Sequence, residues 1–456
     1  MSMKTAITPD AAAVARGPGF SPAYAWYVVG IMMFAYVVSF VDRLILGLLV
    51  QPIKTDLGVS DTQIGLLAGV GFALFYTVMG VPLARLADSS NRKWLIIAGI
   101  TLWSAMTAAS AFATSFTALL IARIGVGVGE ATLTPAATSM IADYFSRDRV
   151  ARALGVFSMG VYLGAGVALL AGSLVVRAVT GTGPVTIVGL GTFNAWQLAF
   201  LLAALPGALA VVLMLSVREP PRTEHSGALS APTGPAPPLR ELLQFIGRNR
   251  RLLGAHCFGY GALGTAVTAY LVWAPEMLRR AYGVPIAQAA LVYGGLLVTL
   301  GTLGPYLGGW WAQHDAARGH PDAELRVSVI ATAALAPLLV IAPLMPSLEL
   351  AAVALAPVVL LLALPQGLAP TVLQLIAPNR LRGQLLSSFM LIAVLSAYIV
   401  GPTAVPLLAV HVFGSDQELD RALALLCGVL VPLGSLSLAF ARKPYRELMV
   451  AGGRIP

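Results

Sequence analysis

Apolar runs long enough to cross a bilayer recur along nearly the whole chain, and they leave room for little else. A spanning helix needs about 20 predominantly apolar residues. Runs of this kind occupy residues 24–50, 62–84, 94–113, 116–142, 153–176, 194–217, 252–277, 286–312, 327–346, 350–376, 384–410 and 420–441. Twelve spans consume most of the 456 residues, so the connections are short and no folded soluble domain fits between them. Only 11% of the residues are charged, against roughly 25% in soluble domains. A soluble or disordered chain is excluded. The expected fold is an all-α membrane protein with twelve transmembrane helices.

The net charge of +9 would by itself suggest a nucleic-acid partner. The charges instead sit in short connections between apolar runs, which is the signature of membrane orientation, and no nucleic acid is expected. With the N-terminus inside, inner segments hold 22 of the 29 Lys and Arg residues and outer segments hold 5. Arg43 and Arg123 remain within spans. This asymmetry places both termini in the cytoplasm. Cys257 and Cys427 lie inside apolar runs, so no disulfide framework is implied. The five histidines show no metal-ligand spacing. No cofactor is expected. Residues 1–22 do not read as a cleavable signal, because the first apolar run is long enough to span. Arg outnumbers Lys by 25 to 4, a composition that points to a GC-rich bacterial genome.

The longest polar stretch runs from Arg218 to Arg251 and contains PTGPAPP (232–238). It reads as a flexible cytoplasmic linker ending in an amphipathic piece, LRELLQFIGRNRR. The expected organisation is an N-terminal six-helix half (1–220), a cytoplasmic linker (221–251) and a C-terminal six-helix half (252–456). DRVARALG (148–155) and NRLRGQLL (379–386) are matching basic connectors between the fourth and fifth span of each half. Two pseudo-symmetric halves are the layout of many secondary transporters.

Four charges lie well inside predicted spans: Asp42 and Arg43 in span 1, Arg123 and Glu130 in span 4. A charge in hydrocarbon costs at least about 2.5–3.5 kcal/mol, so each needs a reason. Asp42 and Arg123 fall at similar depth, and Glu130 follows Arg123 by two helical turns on the same face. A static ion pair between spans 1 and 4 would be the structural explanation. It would be a costly way to make one helix contact, since small residues do that more cheaply. The GVGVGEA segment resembles a dinucleotide fingerprint only superficially: no strand precedes it. Gly125, Gly127 and Gly129 read instead as close helix packing. Gly155, Gly160, Gly164, Gly166 and Gly401-Pro402 are packing and bending positions. Tyr162, Tyr260 and Tyr398 are candidate cavity-lining groups, and His256 reads as a satisfied histidine rather than a proton carrier.

LADSSNRK (86–93) resembles the cytoplasmic loop signature of the major facilitator superfamily, with Asp88 as its acid and Arg92 and Lys93 as its bases. It departs from the usual pattern at Ala84 and Ser89. GGWWAQHD after span 8 is a weaker counterpart, and VREPPR at the end of span 6 is also familiar there. FVDRLILGLLVQPIKTDLGVSDTQIGLL (40–67), ARIGVGVGEATLTPAATSMIADYFSRDRVARALG (122–155) and NAWQLAF (194–200) together resemble the Spinster-like branch of that superfamily. Animal members of the branch move sphingosine phosphate and related lysolipids.

The resemblance implies the major facilitator fold, with spans 1, 4, 7 and 10 lining a central cavity. It implies a proton-linked or facilitative carrier for a small amphiphilic substrate, working as a monomer in the bacterial inner membrane. In that setting Asp42 and Glu130 are candidate proton carriers, since a buried carboxyl's proton affinity responds to both desolvation and nearby cations. Arg123 and Arg43 are candidate partners for a carboxylate or an anionic head group. Asp88, Arg92, Lys93, Asp143 and Arg152 form a candidate cytoplasmic gate, with Asp88 expected to meet span 11. A multidrug or organic-ion exporter is the alternative within transport. A lipid-modifying membrane enzyme is a distant one, for want of a paired His/Asp set or an activated nucleophile.

Overall fold

The computed structural model describes residues 20–145, 147–179, 183–187, 189, 191–221, 239–378 and 381–451. Within them the chain makes twelve successive helical spans. Span 1 is Pro22–Leu48, span 2 is Asp61–Ala68 continued by Val70–Ser89, and span 3 is Arg92–Ser110. Span 4 is Phe116–Glu130 continued by Leu133–Tyr144, span 5 is Arg147–Val179 and span 6 is Ala195–Leu215. Span 7 is Arg250–Tyr282. Span 8 runs Ile286–Leu296, a π-helical turn Leu297–Gly301, then Thr302–Ala317. Span 9 is Ala323–Ile341, span 10 is Leu348–Ala363 with Leu368–Ile376, span 11 is Arg382–His411 and span 12 is Leu419–Ala451. Polar side chains start several of them: Ser21, Asn91, Ser115 and Ser347 each accept a hydrogen bond from an exposed amide of the first turn.

Among the described residues, ten helices are long and apolar enough to cross a membrane. Span 3 falls short because Arg92 and Lys93 open it. Large apolar side chains such as Phe440 and Val353 point outward, 78% and 70% exposed. On a bundle immersed in lipid these form the belt that meets acyl chains.

The structure moves several expected boundaries. Span 12 continues to Ala451, and span 7 continues to Tyr282, so Arg279 and Arg280 lie on its last turn rather than in a connection. Between spans 5 and 6 a short antiparallel hairpin pairs Val185–Ile187 with Gly191–Phe193, which the hydropathy reading misses because each strand is only three residues long. The linker expected at 221–251 lies largely outside the described residues. Its described part is the helix Leu239–Arg248.

Spans 1–5, 1–6, 2–4, 3–4 and 3–6 pack together in the first half, and 7–11, 7–12, 8–10, 9–10 and 9–12 in the second. These are the same pairs advanced by six. The halves meet along two seams, span 5 with span 8 and span 2 with span 11. Both seams depend on missing side chains. A Cβ on Gly166 would sit 2.7 Å from the Val298 amide nitrogen and 2.8 Å from the Gly294 carbonyl oxygen. A Cβ on Gly65 would sit 2.7 Å from the Pro402 carbonyl oxygen.

Candidate functional site

The four deep charges converge between spans 1 and 4, in a different pairing from the one their depth suggests. Arg43 Nη2 pairs with Glu130 Oε2, while Arg43 Nη1 donates to the Tyr398 hydroxyl at 2.9 Å. Arg43 therefore ties span 4 of its own half to span 11 of the other. The rings of Phe40, Phe72, Tyr76 and Tyr398 surround its guanidinium at 4.4–5.6 Å, a cation–π setting. Arg123 Nη1 donates to the main-chain carbonyl of Asp42 at 2.8 Å, not to its carboxylate. Asp42 is fully buried, and neither carboxylate oxygen receives a hydrogen bond from a described protein group. Arg123 Nε and Nη2 and Glu130 Oε1 are likewise buried without such a bond. The glycines of span 4 do pack closely: Cβ atoms on Gly127 and Gly129 would sit 2.6 Å from the Phe72 carbonyl and 2.7 Å from the Trp103 amide.

A second charged cluster closes the end of the bundle away from the termini, and the sequence reading misses it. Arg280 at the end of span 7 forks onto Asp61 at the start of span 2, at 2.8 and 3.1 Å. It also donates to Glu276, at 2.7 Å, and to the Asp416 carbonyl. Lys54, following span 1, bridges Asp61 at 3.0 Å and Asp416 at 2.7 Å. Gln51 donates to Glu276 at 3.1 Å. The side chains of Asp61, Glu276 and Arg280 are 1–2% exposed. This network crosses between the halves. The signal available in the sequence was Glu276 three and four residues before Arg279 and Arg280, on a face otherwise sparse in charge.

The residues expected at the cytoplasmic gate make their described contacts within the first half. Arg92, 1% exposed, binds Glu219 at 2.7 Å, Ser139 at 2.9 Å and the Asp143 carboxylate. Lys93 donates to the Leu215 carbonyl at 2.8 Å, and its amide to Glu219 at 2.9 Å. LADSSNRK and VREPPR are thus two sides of one clamp, through Arg92 and Glu219. The side chains of Asp88 and Arg152 lie outside the described residues, and with them the expected contact of Asp88 with span 11. The second half repeats the clamp with charges reversed: Asp322, before span 9, binds Arg442 at 2.6 Å and Arg446 at 2.9 Å, both late in span 12.

Of the candidate tyrosines, Tyr398 joins the charge cluster directly. Tyr162 lies against Gly301 at the π-helical turn and lines an apolar void of about 10 Å³ with Val267, Leu271, Tyr293 and Leu297. A void that size holds about one water. Tyr260 bonds Ser328 at 2.7 Å within the second half and is 5% exposed. NAWQLAF also acquires a structural role: Asn194 and Trp196 both donate to Asp56, at 2.9 and 2.7 Å, fastening span 6 to the segment that follows span 1.

Comparison with known proteins bears on these features. Residues 32–402 match the family described as Major Facilitator Superfamily. An "MFS-type efflux pump" of Mycolicibacterium smegmatis is 29% identical over 95% of this chain and 96% of its own length. The "Protein spinster homolog 1" of Bos taurus is 31% identical over 60% of this chain, a match that spans 49% of that protein. The crystal structure of a bacterial homologue to the human lysosomal transporter Spinster, inward-facing and unoccupied, aligns with TM-score 0.76 and 26% identity. That alignment covers 94% of this chain and 99% of the other.

Proposed function

The chain belongs to the major facilitator superfamily and is Spinster-like, and from that premise we propose that it is a proton-coupled carrier of an amphiphilic, lipid-like substrate. Transport, rather than an enzymatic reaction, is the activity of its family and structural neighbours. The proposal adds the coupling ion, the substrate class and the orientation: both termini cytoplasmic, in the bacterial inner membrane, as a monomer. In this orientation the Arg280 network joins the two halves at the outer end. The halves 1–220 and 252–456 are the bodies that rock.

One observation carries the reading. Arg43 is shared between Glu130 in span 4 and Tyr398 across the halves. Protonation of Glu130 removes the anion that holds Arg43 and so weakens the link to span 11. Asp42 is a second carboxyl able to take a proton, buried beside the Arg43–Glu130 pair. The Nε and Nη2 edge of Arg123 is left to accept an anionic head group, and the apolar surfaces around it take the tail. Competition of a substrate anion with these carboxylates for the two arginines couples the two movements.

The test is flux of a lysolipid panel into sealed proteoliposomes, with and without a pH gradient. Glu130→Gln and Asp42→Asn, which conserve size and mimic the protonated groups, are expected to insert normally and lose the pH dependence of flux. Normal proton-driven flux in both would overturn the assignment. A second reading, export of organic cations, is favoured by the four rings around Arg43, a setting that suits a lipophilic cation as well as a guanidinium. Transport of quaternary ammonium compounds but not lysolipids would select it.

A further inference from the structure

The linker helix Leu239–Arg248 places Leu239, Leu242, Leu243 and Ile246 within one arc of its surface, with Arg240, Glu241, Gln244 and Arg248 on the other side. Leu242 is 4% exposed, and Phe245 and Ile246 pack partly against the buried apolar core. Leu243, at the edge of the apolar arc, is 57% exposed. Only Asn249 separates this helix from span 7. Asn249 continues the main-chain bonding through the bend: its amide and side-chain Nδ2 both donate to the Phe245 carbonyl, at 3.1 and 2.9 Å, and its carbonyl accepts from Leu253. The linker helix is thereby joined to span 7 through a single hydrogen-bonded residue.

Three arginines flank that bend, Arg248, Arg250 and Arg251, and Arg240 lies about two turns back along the linker helix. Arg240, Arg248, Arg250 and Arg251 are all exposed, and none makes a described ion pair. Below them on span 7, Arg251, Gly254 and Phe258 follow at i, i+3 and i+7, so they share one face. Nothing lies within 4 Å of where a Gly254 Cβ would be. Phe258 is 49% exposed. The strip reads downward as a cation, a notch and an apolar ring, which is the order of head group and acyl chain in a phospholipid.

We propose that this bend is a binding site for an anionic phospholipid of the leaflet that bounds the basic face. Arg248, Arg250 and Arg251, joined by Arg240, hold the phosphate-bearing head group, and one acyl chain runs along the Gly254 notch to Phe258. Guanidinium groups suit the partner, since they bind phosphate through paired N–H donors. Orientation of the chain alone would require only that positive charge be on this side. It would not require an unpaired cluster set above a notch.

The experiment uses the purified full-length protein, with lipid retention measured by native mass spectrometry in mixtures of phosphatidylglycerol and phosphatidylcholine. Retention of phosphatidylglycerol over phosphatidylcholine is expected. Each arginine near a membrane surface contributes a factor of about five, so Arg251→Gln should lower the preference about fivefold. Gly254→Leu, which keeps every charge and suits a helix, should weaken retention of both lipids by filling the notch. Equal retention of the two lipids by the wild type, or an Arg251→Gln variant unchanged in preference, would overturn the proposal. Displacement of the lipid by millimolar glycerol phosphate would also overturn it, because the site would then be one for soluble anions.

Discussion

At the end of the bundle away from the termini, Lys54 and Asp61 of the first half reach Asp416 and Arg280 of the second. At the basic end, Arg92 stays with Asp143 and Glu219, and Asp322 with Arg442 and Arg446. The two ends hold comparable chemistry but join different partners. A bond across the halves must be broken whenever that end opens, so it sets which state is populated. A bond within one half survives the cycle and makes that half move as a body. In each half the clamp ties the entry of its third span to the exit of its sixth, with the charges exchanged, and so stiffens the same corner twice.

The comparison breaks most visibly at Arg280. Arg280→Ala removes the cation shared by buried Asp61 and Glu276, leaving them Lys54 and Arg279 alone, a loss on the order of 3 kcal/mol to the sealed state. Nitroxide labels at Thr55 and Gln417, both exposed, should move apart in electron–electron distance measurements. An unchanged distribution would mean that this cluster does not hold the end closed. Arg92→Ala should cost a similar amount, roughly 3–5 kcal/mol, but in thermal stability. The Thr55–Gln417 distance should stay as in the wild type, because the clamp joins nothing across the halves.

Smaller effects sharpen the contrast. Gly166→Leu forces a side chain into the seam of spans 5 and 8 and should cost about 1–3 kcal/mol. It should shift the label distances in the same sense as Arg280→Ala, since the seam lies on the sealed side. Asp416→Asn removes a half-exposed partner of Lys54 and should change stability by less than about 1 kcal/mol. The hydrogen bond from Lys54 holds the Asp416 carboxyl below its ordinary range. At Asp322 burial acts to raise the carboxyl, but the bonds from Arg446 and Arg442 outweigh it and hold it low as well. Both contributions are fully present above the ordinary carboxylate range and disappear only as pH falls through the depressed values. Between pH 5 and 8 the label distances should therefore show no change traceable to either residue. A pH-dependent opening in that window that survives Asp416→Asn would point to the central carboxyls.

Much of the architecture was legible without coordinates. Apolar run length reports a span directly, because the bilayer core has one thickness and the helix one rise per residue. The confinement of deep charge to spans 1 and 4 was legible for the same reason: hydrocarbon penalises each such residue wherever it points. What a run of residues cannot report is which helix lies alongside. Depth arithmetic put Asp42 with Arg123, yet the fold gives Arg123 to a main-chain carbonyl and Glu130 to Arg43. LADSSNRK and VREPPR were both visible as motifs, but that Arg92 and Glu219 are partners depends on spans 3 and 6 packing side by side. The Arg280 network lay furthest from the sequence. Its members are separated by up to 362 residues, and they become neighbours only because two six-helix bodies close at one end. The sequence alone determined the number of spans, the basic face and the cost of each buried charge, since those are local exchanges between a residue and its solvent. The tertiary structure alone decided the partners, because pairing is a property of the distances between helices.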